Sequence, residues 1–228
     1  MNPDPSEAVL TDRDILRLLC LNFGHPDKLV ITPIIDLQEQ LHPFSFDLRL
    51  GTEFIVFERS GKTHLDPMTE PRDKNVFADS KEEVRFIKRL SPREEFVLHT
   101  NEFALGSTLE YIRLPRWIGA RLDGRSVWAR LGLQVHSTAG LVHPGSHGAI
   151  TFELLNVGTL PIKLYPGMRI AQINFYKLSK NIIRSYDVEG SKHIGHVKAS
   201  RSAYWRDKEF RYLRGMVQDN ERYLDPQK

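Results

Sequence analysis

The chain has 228 residues, of which 40% are hydrophobic and 27% charged, and its formal net charge is +3. This composition is typical of a folded globular protein and excludes a fibrous or wholly disordered chain. No run of about 18 apolar residues is present, and the first ten residues lack a basic start and an apolar core, so we expect a cytoplasmic protein without a membrane span or secretory signal. The single cysteine, Cys20, excludes an intramolecular disulfide and any site that needs two thiolates.

The N-terminal part is predicted to hold a loose arm and then one helix. Residues 1–10 contain two prolines and few apolar side chains, which favours an arm. Thr11 is a suitable N-cap, acidic residues follow it, and an apolar cluster comes next, before a glycine and a proline, so we predict a helix over residues 12–22. Within this helix Cys20 is expected to be a small apolar core residue.

From residue 28 onward the sequence consists of short β-type runs separated by turn residues. The runs are LVIT, FSFDLRLG, EFIVF, VRFI, EFVLHT, FALGSTLEYIRL, LQVHST, GAITFELLNVG, LPIKLY and RIAQINFY. Their spacing is typical of a β-sandwich or jelly-roll and not of alternating strands and helices. We therefore predict a mainly β domain over residues 11–190, with the charged, aperiodic residues 59–83 as a surface excursion.

Residues 191–228 are predicted to form a basic C-terminal tail. Residues 192–214 hold seven Lys and Arg side chains against two acidic ones. An apolar face within the tail predicts a short amphipathic helix over residues 206–223. A solvated helix packed on the sandwich and a phosphate-facing helix both fit this pattern. Because the net charge is small, a nucleic-acid-binding function would depend on this tail alone.

The segment Leu122–Leu133 brings together two guanidinium groups, a hydroxyl and turn amides. Arg125 and Ser126 follow a glycine, and Arg130 comes five residues after Arg125. Such a group suits a polyanion, because the arginine fork matches phosphate oxygens bidentately. A turn with exposed arginines fits the same spacing.

Glu153 lies in the middle of an apolar strand. Strand alternation places Phe152 and Leu154 on one face and Glu153 on the other. The carboxylate is then either paired or held in a partly desolvated pocket that suits a general base. A glutamate on the solvent-exposed face of a half-buried strand fits the same pattern.

Two further segments could contact a ligand. The loop 136–145 has glycine, proline and small residues that permit close backbone approach, and its two histidines show no metal-type spacing. In the run 167–175, alternation is expected to bury Ile170 and the residues in step with it. Gln172 can donate to an anion or to a neighbouring strand.

Taken in order, these segments resemble the dCTP deaminase and trimeric dUTPase superfamily, and more closely its deaminase branch. The resemblance covers residues 11–205, and its most specific part runs from Asp123–Ser126 through Arg130–Leu133. The other matching positions are Thr11–Ile15, Phe46–Gly51, Thr138–Ala139, Pro144–Gly145, Glu153, Asn156, Leu160–Pro161, Pro166–Gly167 and Arg169.

The resemblance implies a jelly-roll-like fold, or distorted β-barrel, of the dUTPase type, with an N-terminal and a short C-terminal helix. It implies a homotrimer with active sites between subunits, and zinc-independent deamination of dCTP, or a close cytosine deoxynucleotide, to dUTP and ammonia. The single cysteine agrees with this, because zinc-dependent deaminases need a Cys-x-x-Cys pair. Magnesium would enter bound to the triphosphate.

Catalytic roles follow from the resemblance position by position. Glu153 would be the general base, Ser126 and the Ala139 carbonyl would hold the attacking water, and Arg130 would orient Glu153. The positions that would contact the substrate and its phosphates are Arg125, Gln172, Arg201, Tyr204, His143 and Thr138. The tail segment with Arg201 would cover the phosphates and exclude water from the base.

Two positions depart from the family pattern. Val127 stands where a second serine is usual, and a valine cannot donate a hydrogen bond to phosphate. His143 stands where an aspartate is usual, which argues against a dUTPase. Two alternatives follow: a dUTP diphosphatase or bifunctional deaminase and diphosphatase, favoured by Gln172, and a non-catalytic, nucleotide-binding regulatory trimer.

Overall fold

The computed structural model describes residues 9–57, 64, 85–187, 195–210, 212, 213, 215 and 216. The helices are α1 (Asp12–Leu19), α2 (Leu37–Gln40) and α3 (Ser126–Ala129), with a 3₁₀ turn at Tyr204–Arg206. The strands are β1 (Val30–Thr32), β2 (Leu41–His42), β3 (Ser45–Arg49), β4 (Glu53–Phe57), β5 (Arg85–Arg89), β6 (Phe96–Leu98), β7 (Phe103–Ser107), β8 (Tyr111–Arg113), β9 (Ile118–Gly124), β10 (Leu133–Gln134), β11 (Leu141–Val142), β12 (His147–Gly148), β13 (Thr151–Asn156), β14 (Ile162–Leu164) and β15 (Arg169–Lys177).

Two five-stranded antiparallel sheets form the framework. The first sheet has the order β10-β13-β7-β4-β5, and the second has the order β11-β9-β15-β3-β2. One apolar cluster takes side chains from both sheets, including Phe54 and Phe152 from the first and Phe46 and Phe175 from the second. The sheets therefore enclose a common core, and the prediction of a mainly β, jelly-roll-type fold is confirmed. A three-stranded sheet (β1-β8-β12) and the pair β14-β6 complete the strand pairing of the described residues.

Helix α1 begins as predicted and ends earlier. The backbone amide and hydroxyl of Thr11 both donate to the Asp14 carboxylate, at 3.1 and 2.9 Å, which fixes the first turn. The helix ends at Leu19 because the Lys28 ammonium donates to the carbonyls of Leu19 and Leu21. Cys20 lies just beyond the helix and is exposed, so its expected place in the core was wrong.

Alternation along the first sheet separates a core face from an outer face. The residues paired directly across its strands form one outward row, which consists of Glu153, Leu105, Ile55 and Ile87. We call the side of the sheet that carries this row the Glu153 face. The intervening residues Phe152 and Leu154 are fully buried in the main core, as the alternation predicted.

The second sheet has an irregularity that alternation alone did not reveal. The pairing of β15 with β3 shifts in register between Arg169 and Ala171. Because a bulge reverses the alternation, Ile173 shares the buried face with Ala171, whereas Gln172 is only half-buried. The expected exposure of the row opposite Ile170 was therefore wrong. Of the residues in step with Ile170, Asn174 is buried as expected, whereas Gln172 is not.

Several boundaries differ from the sequence predictions or lie outside the described residues. Val9 bridges to Tyr176 and Leu10 is buried, so the end of the predicted arm belongs to the domain. Residues 59–83 lie outside the described part except for residue 64. Of the predicted helix 206–223, residues 208–210, 212, 213, 215 and 216 are helical, and the remainder after 210 is not described. The division at residues 10 and 190 stays a prediction. None of the described helices is long and apolar enough to cross a membrane.

Candidate active site

Glu153 stands at the centre of β13, where its side chain is half-buried. Its Oε2 accepts a hydrogen bond of 2.9 Å from the backbone amide of Ser137, and its own amide donates to the carbonyl of Val135 at 2.9 Å. The carboxylate is thus held by main chain, and not by a cation of the described residues. This arrangement orients one oxygen and leaves the second available for another donor.

The loop that follows Ser137 places exposed backbone next to Glu153. Thr138 and Ala139 are exposed, and the carbonyl of Gly140 accepts a hydrogen bond of 2.7 Å from Leu122 of β9. A side chain at Gly140 would meet the Leu122 carbonyl at 2.8 Å, so the loop lies directly on β9. The loop is therefore fixed at both ends around the two residues expected to contact substrate.

Arg125 follows β9, at the N-cap of α3, and is held by a buried carboxylate. Its Nε lies 2.9 Å from Asp47 Oδ2, and its Nη1 donates to the Arg169 carbonyl at 3.0 Å. Asp47 is 1% exposed, and the same oxygen also lies 3.2 Å from His42 Nε2 and 3.4 Å from Arg169 Nη1. The alternative of a freely exposed arginine is thereby excluded for Arg125, whose guanidinium has a fixed position.

Asp47 is a residue that the sequence reasoning missed. It lies directly opposite Gln172, which in turn lies opposite Asp123, so Gln172 is flanked by two carboxylates on the face of the second sheet that turns away from the core. Asp47 Oδ1 is buried and has no hydrogen-bond partner among the described residues. The sequence did offer a signal for Asp47, because it is a single acid between two apolar residues of β3. A buried charge requires charged or hydrogen-bonding partners, so such an acid indicates a paired group.

Ser126 and Arg130 lie at the two ends of α3, and both are exposed. Within the described residues, no hydrogen bond or ion pair joins either side chain to Glu153. Val127 and Leu131 beside them are 58% and 57% exposed. The expected contact between Arg130 and Glu153 is therefore absent from the described part of a single chain.

His143 is exposed, and its ring stacks on the ring of Tyr186, with centroids 5.3 Å apart. The Tyr186 segment is tied to the loop because the Tyr186 amide donates to the Pro144 carbonyl at 3.0 Å. Next to it, Arg116 donates two hydrogen bonds, of 3.0 and 2.9 Å, to Asp187. A hydrogen bond from Ser185, and then the Arg116 guanidinium, hold the pKa of Asp187 below its usual range. The imidazole at position 143 thus has a defined orientation.

The tail residues predicted to close the site pack on their own chain. The Ser200 amide donates to Thr151 Oγ1 at 3.3 Å, at the start of β13. Arg201 is 3% exposed, and its guanidinium lies 4.9 Å from the centre of the Trp205 ring. Tyr204 is half-buried and makes an edge contact with Trp205, at 5.5 Å between centroids. The tail therefore reaches the strand that carries Glu153.

The described residues contain no group of three or more His, Cys, Asp or Glu side chains that could hold a metal ion.

The fold and the site define a class of protein. Two facing antiparallel sheets of jelly-roll type match the solved dCTP deaminase of Agrobacterium tumefaciens in fold. The TM-score is 0.55 and the identity 22%, over 75% of this chain and 49% of that one. The chain belongs to the dCTP deaminase-like family, whose model matches residues 9–178.

Curated relatives agree with this assignment. The chain is 46% identical over 171 residues to a dUMP-forming dCTP deaminase of Dictyoglomus thermophilum, covering 75% of this chain and 81% of the relative. It is 40% identical over 203 residues to a dCTP deaminase of Natronomonas pharaonis, covering 89% and 97%. Both matched segments span most of the chain, so the family resemblance predicted from the sequence is confirmed.

Proposed function

We propose that this protein is a zinc-independent hydrolase that deaminates dCTP, or a close cytosine deoxynucleotide, to dUTP and ammonia. The observation that carries the proposal is the half-buried Glu153 carboxylate, held by the Ser137 amide beside an exposed loop. The names of the relatives, which are 40–46% identical to the chain over the matched segments, support the same reaction class. The bond that is broken joins C4 of the cytosine ring to its exocyclic nitrogen.

In the proposed mechanism, Glu153 takes a proton from a water molecule as the water oxygen bonds to C4. Because the Ser137 amide occupies one carboxylate oxygen, the other faces the water. Ser126 and the Ala139 carbonyl hold this water. Glu153 passes this proton to ring nitrogen N3, which gives a tetrahedral C4 that carries a hydroxyl and an amino group. Glu153 then takes the hydroxyl proton and passes it to the amino nitrogen, the C4–N bond breaks as the C4=O bond forms, and ammonia leaves, so one water is consumed for each ammonia released.

The substrate's phosphates are proposed to bind at the face of the second sheet that turns away from the core. Arg125, fixed by Asp47, and Gln172 would contact the phosphate oxygens, and Mg²⁺ would be carried by the triphosphate. Thr138 and His143 would contact the base and sugar part of the nucleotide. Arg201 and Tyr204 of the tail would close over the bound substrate.

We infer that the active unit is a cytoplasmic homotrimer with sites between subunits. Glu153 has no contact with Ser126 or Arg130 within the described part of one chain, although the mechanism needs all three together. The exposed Val127 and Leu131 give the α3 surface the apolar character of an interface. A neighbouring subunit can supply Ser126 and Arg130 to each Glu153.

Mixed oligomers test this shared site. Glu153→Gln and Arg130→Ala chains, each inactive alone, are co-expressed with different tags and purified as a mixture. If the site is shared, a random mixture should recover about a quarter of wild-type activity, because one interface in four pairs two intact contributors. A mixture as inactive as either parent would show that each chain contains its own complete site.

A second candidate is a bifunctional deaminase that also releases pyrophosphate. The specific observations that favour it are the half-buried Gln172 and the name of the Dictyoglomus relative, which is dUMP-forming. The histidine at position 143 opposes a dUTPase without deaminase activity, since the family usually has an aspartate there and an imidazole is a poor replacement for a carboxylate near a phosphate.

Product analysis separates these activities. The protein is incubated with Mg²⁺ and dCTP, CTP, dCMP or dUTP, and ammonia, pyrophosphate and nucleotides are quantified. The proposal expects ammonia and dUTP in equal amounts from dCTP. Equal ammonia and pyrophosphate with dUMP would select the bifunctional enzyme, and pyrophosphate from dUTP without ammonia from dCTP would select a diphosphatase. Nucleotide binding without any product would select the regulatory trimer.

A further inference from the structure

The Glu153 face is partly covered by residues of the tail. Ala199 is 1% exposed and packs with Ile55, Leu105 and Ile87 in an apolar cluster separate from the main core. Leu105 is the residue paired directly with Glu153 across the two strands. Together with the hydrogen bond from the Ser200 amide to Thr151, this contact places the tail on the sheet surface that carries the proposed base.

A buried carboxylate fixes the beginning of this docked segment. Glu53, on the same face as Ile55, is 6% exposed. Its Oε2 lies 2.7 Å from Arg89 Nε on the neighbouring strand and 3.2 Å from Lys198 Nζ, next to Ala199 in the tail. Arg89 and Glu53 are paired across neighbouring strands of the sheet, whereas Lys198 belongs to the tail, so the contact with Lys198 is the one that joins Glu53 to the docked segment.

We propose that Glu53 is a positioning residue, which anchors the tail through Lys198 over the Glu153 face and so presents Arg201 and Tyr204 to the bound nucleotide. This inference rests on the proposed function, because it assigns the docked tail to the same site. Glu53 contacts no reacting atom. Its loss weakens substrate binding and leaves the chemical step of the bound substrate unchanged.

A merely structural ion pair would behave differently. Lys198 is 50% exposed, so its contribution to global stability is small. If the pair only stabilised the fold, its removal would lower the thermal midpoint slightly at most and leave the KM for dCTP unchanged. If it anchors the tail over the site, KM rises while the thermal midpoint stays constant.

The test compares Lys198→Met with Lys163→Met. The control removes a lysine of similar exposure that pairs with Glu95 at 2.8 Å, in the two-stranded sheet β14-β6. For dCTP with Mg²⁺, Lys198→Met should raise KM about tenfold with kcat within about twofold of wild type, and Lys163→Met should change neither. Lys198→Arg should restore most of the affinity, and Glu53→Gln should reproduce the effect of Lys198→Met. An unchanged KM in Lys198→Met, or a loss confined to kcat, would overturn the proposal.

Limited proteolysis tests the anchor without turnover. Chymotrypsin cleaves after aromatic residues, and Tyr204 and Trp205 lie in the docked part of the tail. First cleavage there should be several-fold faster in Lys198→Met than in wild type or Lys163→Met, and equal rates in all three would refute the anchor. If the wild-type protein converts no nucleotide, the proposed function fails, whereas the proteolysis result still decides whether Glu53 holds the tail.

Discussion

Glu110 makes the stability of this fold depend on pH in a direction that can be worked out from the structure. Its side chain is fully buried. One carboxyl oxygen accepts a hydrogen bond of 3.1 Å from Gln40 Nε2, and the other accepts one of 2.9 Å from the Arg49 amide. Burial raises the pKa of this carboxyl from 4.5 to about 7, because the hydrogen bonds only partly offset the lost hydration.

The direction in which the stability changes with pH follows from proton linkage. Between pH 4.5 and 7 the folded protein keeps a proton on Glu110 that the unfolded chain has released. The stabilisation is therefore fully present below pH 4.5 and is lost as the pH rises through 7. The change in the pKa of Glu110 from 4.5 to about 7 corresponds to about 3 kcal/mol of unfolding free energy.

Urea unfolding of the wild-type protein and Glu110→Gln at a series of pH values from 4.5 to 8 measures this contribution. Glutamine does not titrate, so the free energy of unfolding of the wild type should fall by about 3 kcal/mol relative to the variant over this range. The substitution also alters a hydrogen bond, which changes the free energy of unfolding of the variant by the same amount at every pH and so does not affect the comparison of the two pH dependences. Protein concentration is kept the same, since stability depends on it in an oligomer. Parallel curves for the two proteins would refute the reasoning.

Two further substitutions test how the site is held. Asp47→Asn removes the buried charge that fixes Arg125. We expect the free energy of unfolding in urea to fall by about 3 kcal/mol and dCTP binding, measured by calorimetry, to weaken. Unchanged stability and unchanged binding would show that the position of Arg125 does not depend on Asp47. Gly132 has φ +96°, and a Cβ there would lie 2.4 Å from the Gly158 nitrogen. Gly132→Ala should therefore lose about 2 kcal/mol more stability than Gly24→Ala, which has φ +91° and open space around it; equal losses would exclude the steric contact.

Local patterns predicted the fold and the orientation of the proposed base. Alternation along β13 correctly placed Glu153 on the face of the sheet that does not carry the buried Phe152. Successive side chains of a strand point to opposite faces of the sheet. The same rule placed Ile170 correctly and failed after it, where Ala171 and Ile173 are buried although exposure was expected, since the bulge between Arg169 and Ala171 reverses the alternation. The helix end was missed because the group that caps it, Lys28, lies outside the helix.

Contacts between residues distant in the sequence could not be predicted in this way. The pair of Asp47 and Arg125 forms because β3 and β9 both flank β15, an order that no local pattern contains. The contact between Lys198 and Glu53 likewise depends on where the tail crosses the first sheet. In the proposed homotrimer, the positions of Ser126 and Arg130 relative to Glu153 would depend on the assembly of subunits, which no local pattern of the sequence describes.

The role of Glu153 is tested most directly by the rate of ammonia release from dCTP in Glu153→Gln, with dCTP affinity measured in parallel. Glutamine has a similar shape and can still accept the Ser137 hydrogen bond, and it cannot take a proton from water. We expect the rate to fall by about 10²–10⁴ while the dissociation constant stays within a few-fold of wild type. Ammonia release at the wild-type rate would contradict the assignment of Glu153 as the general base.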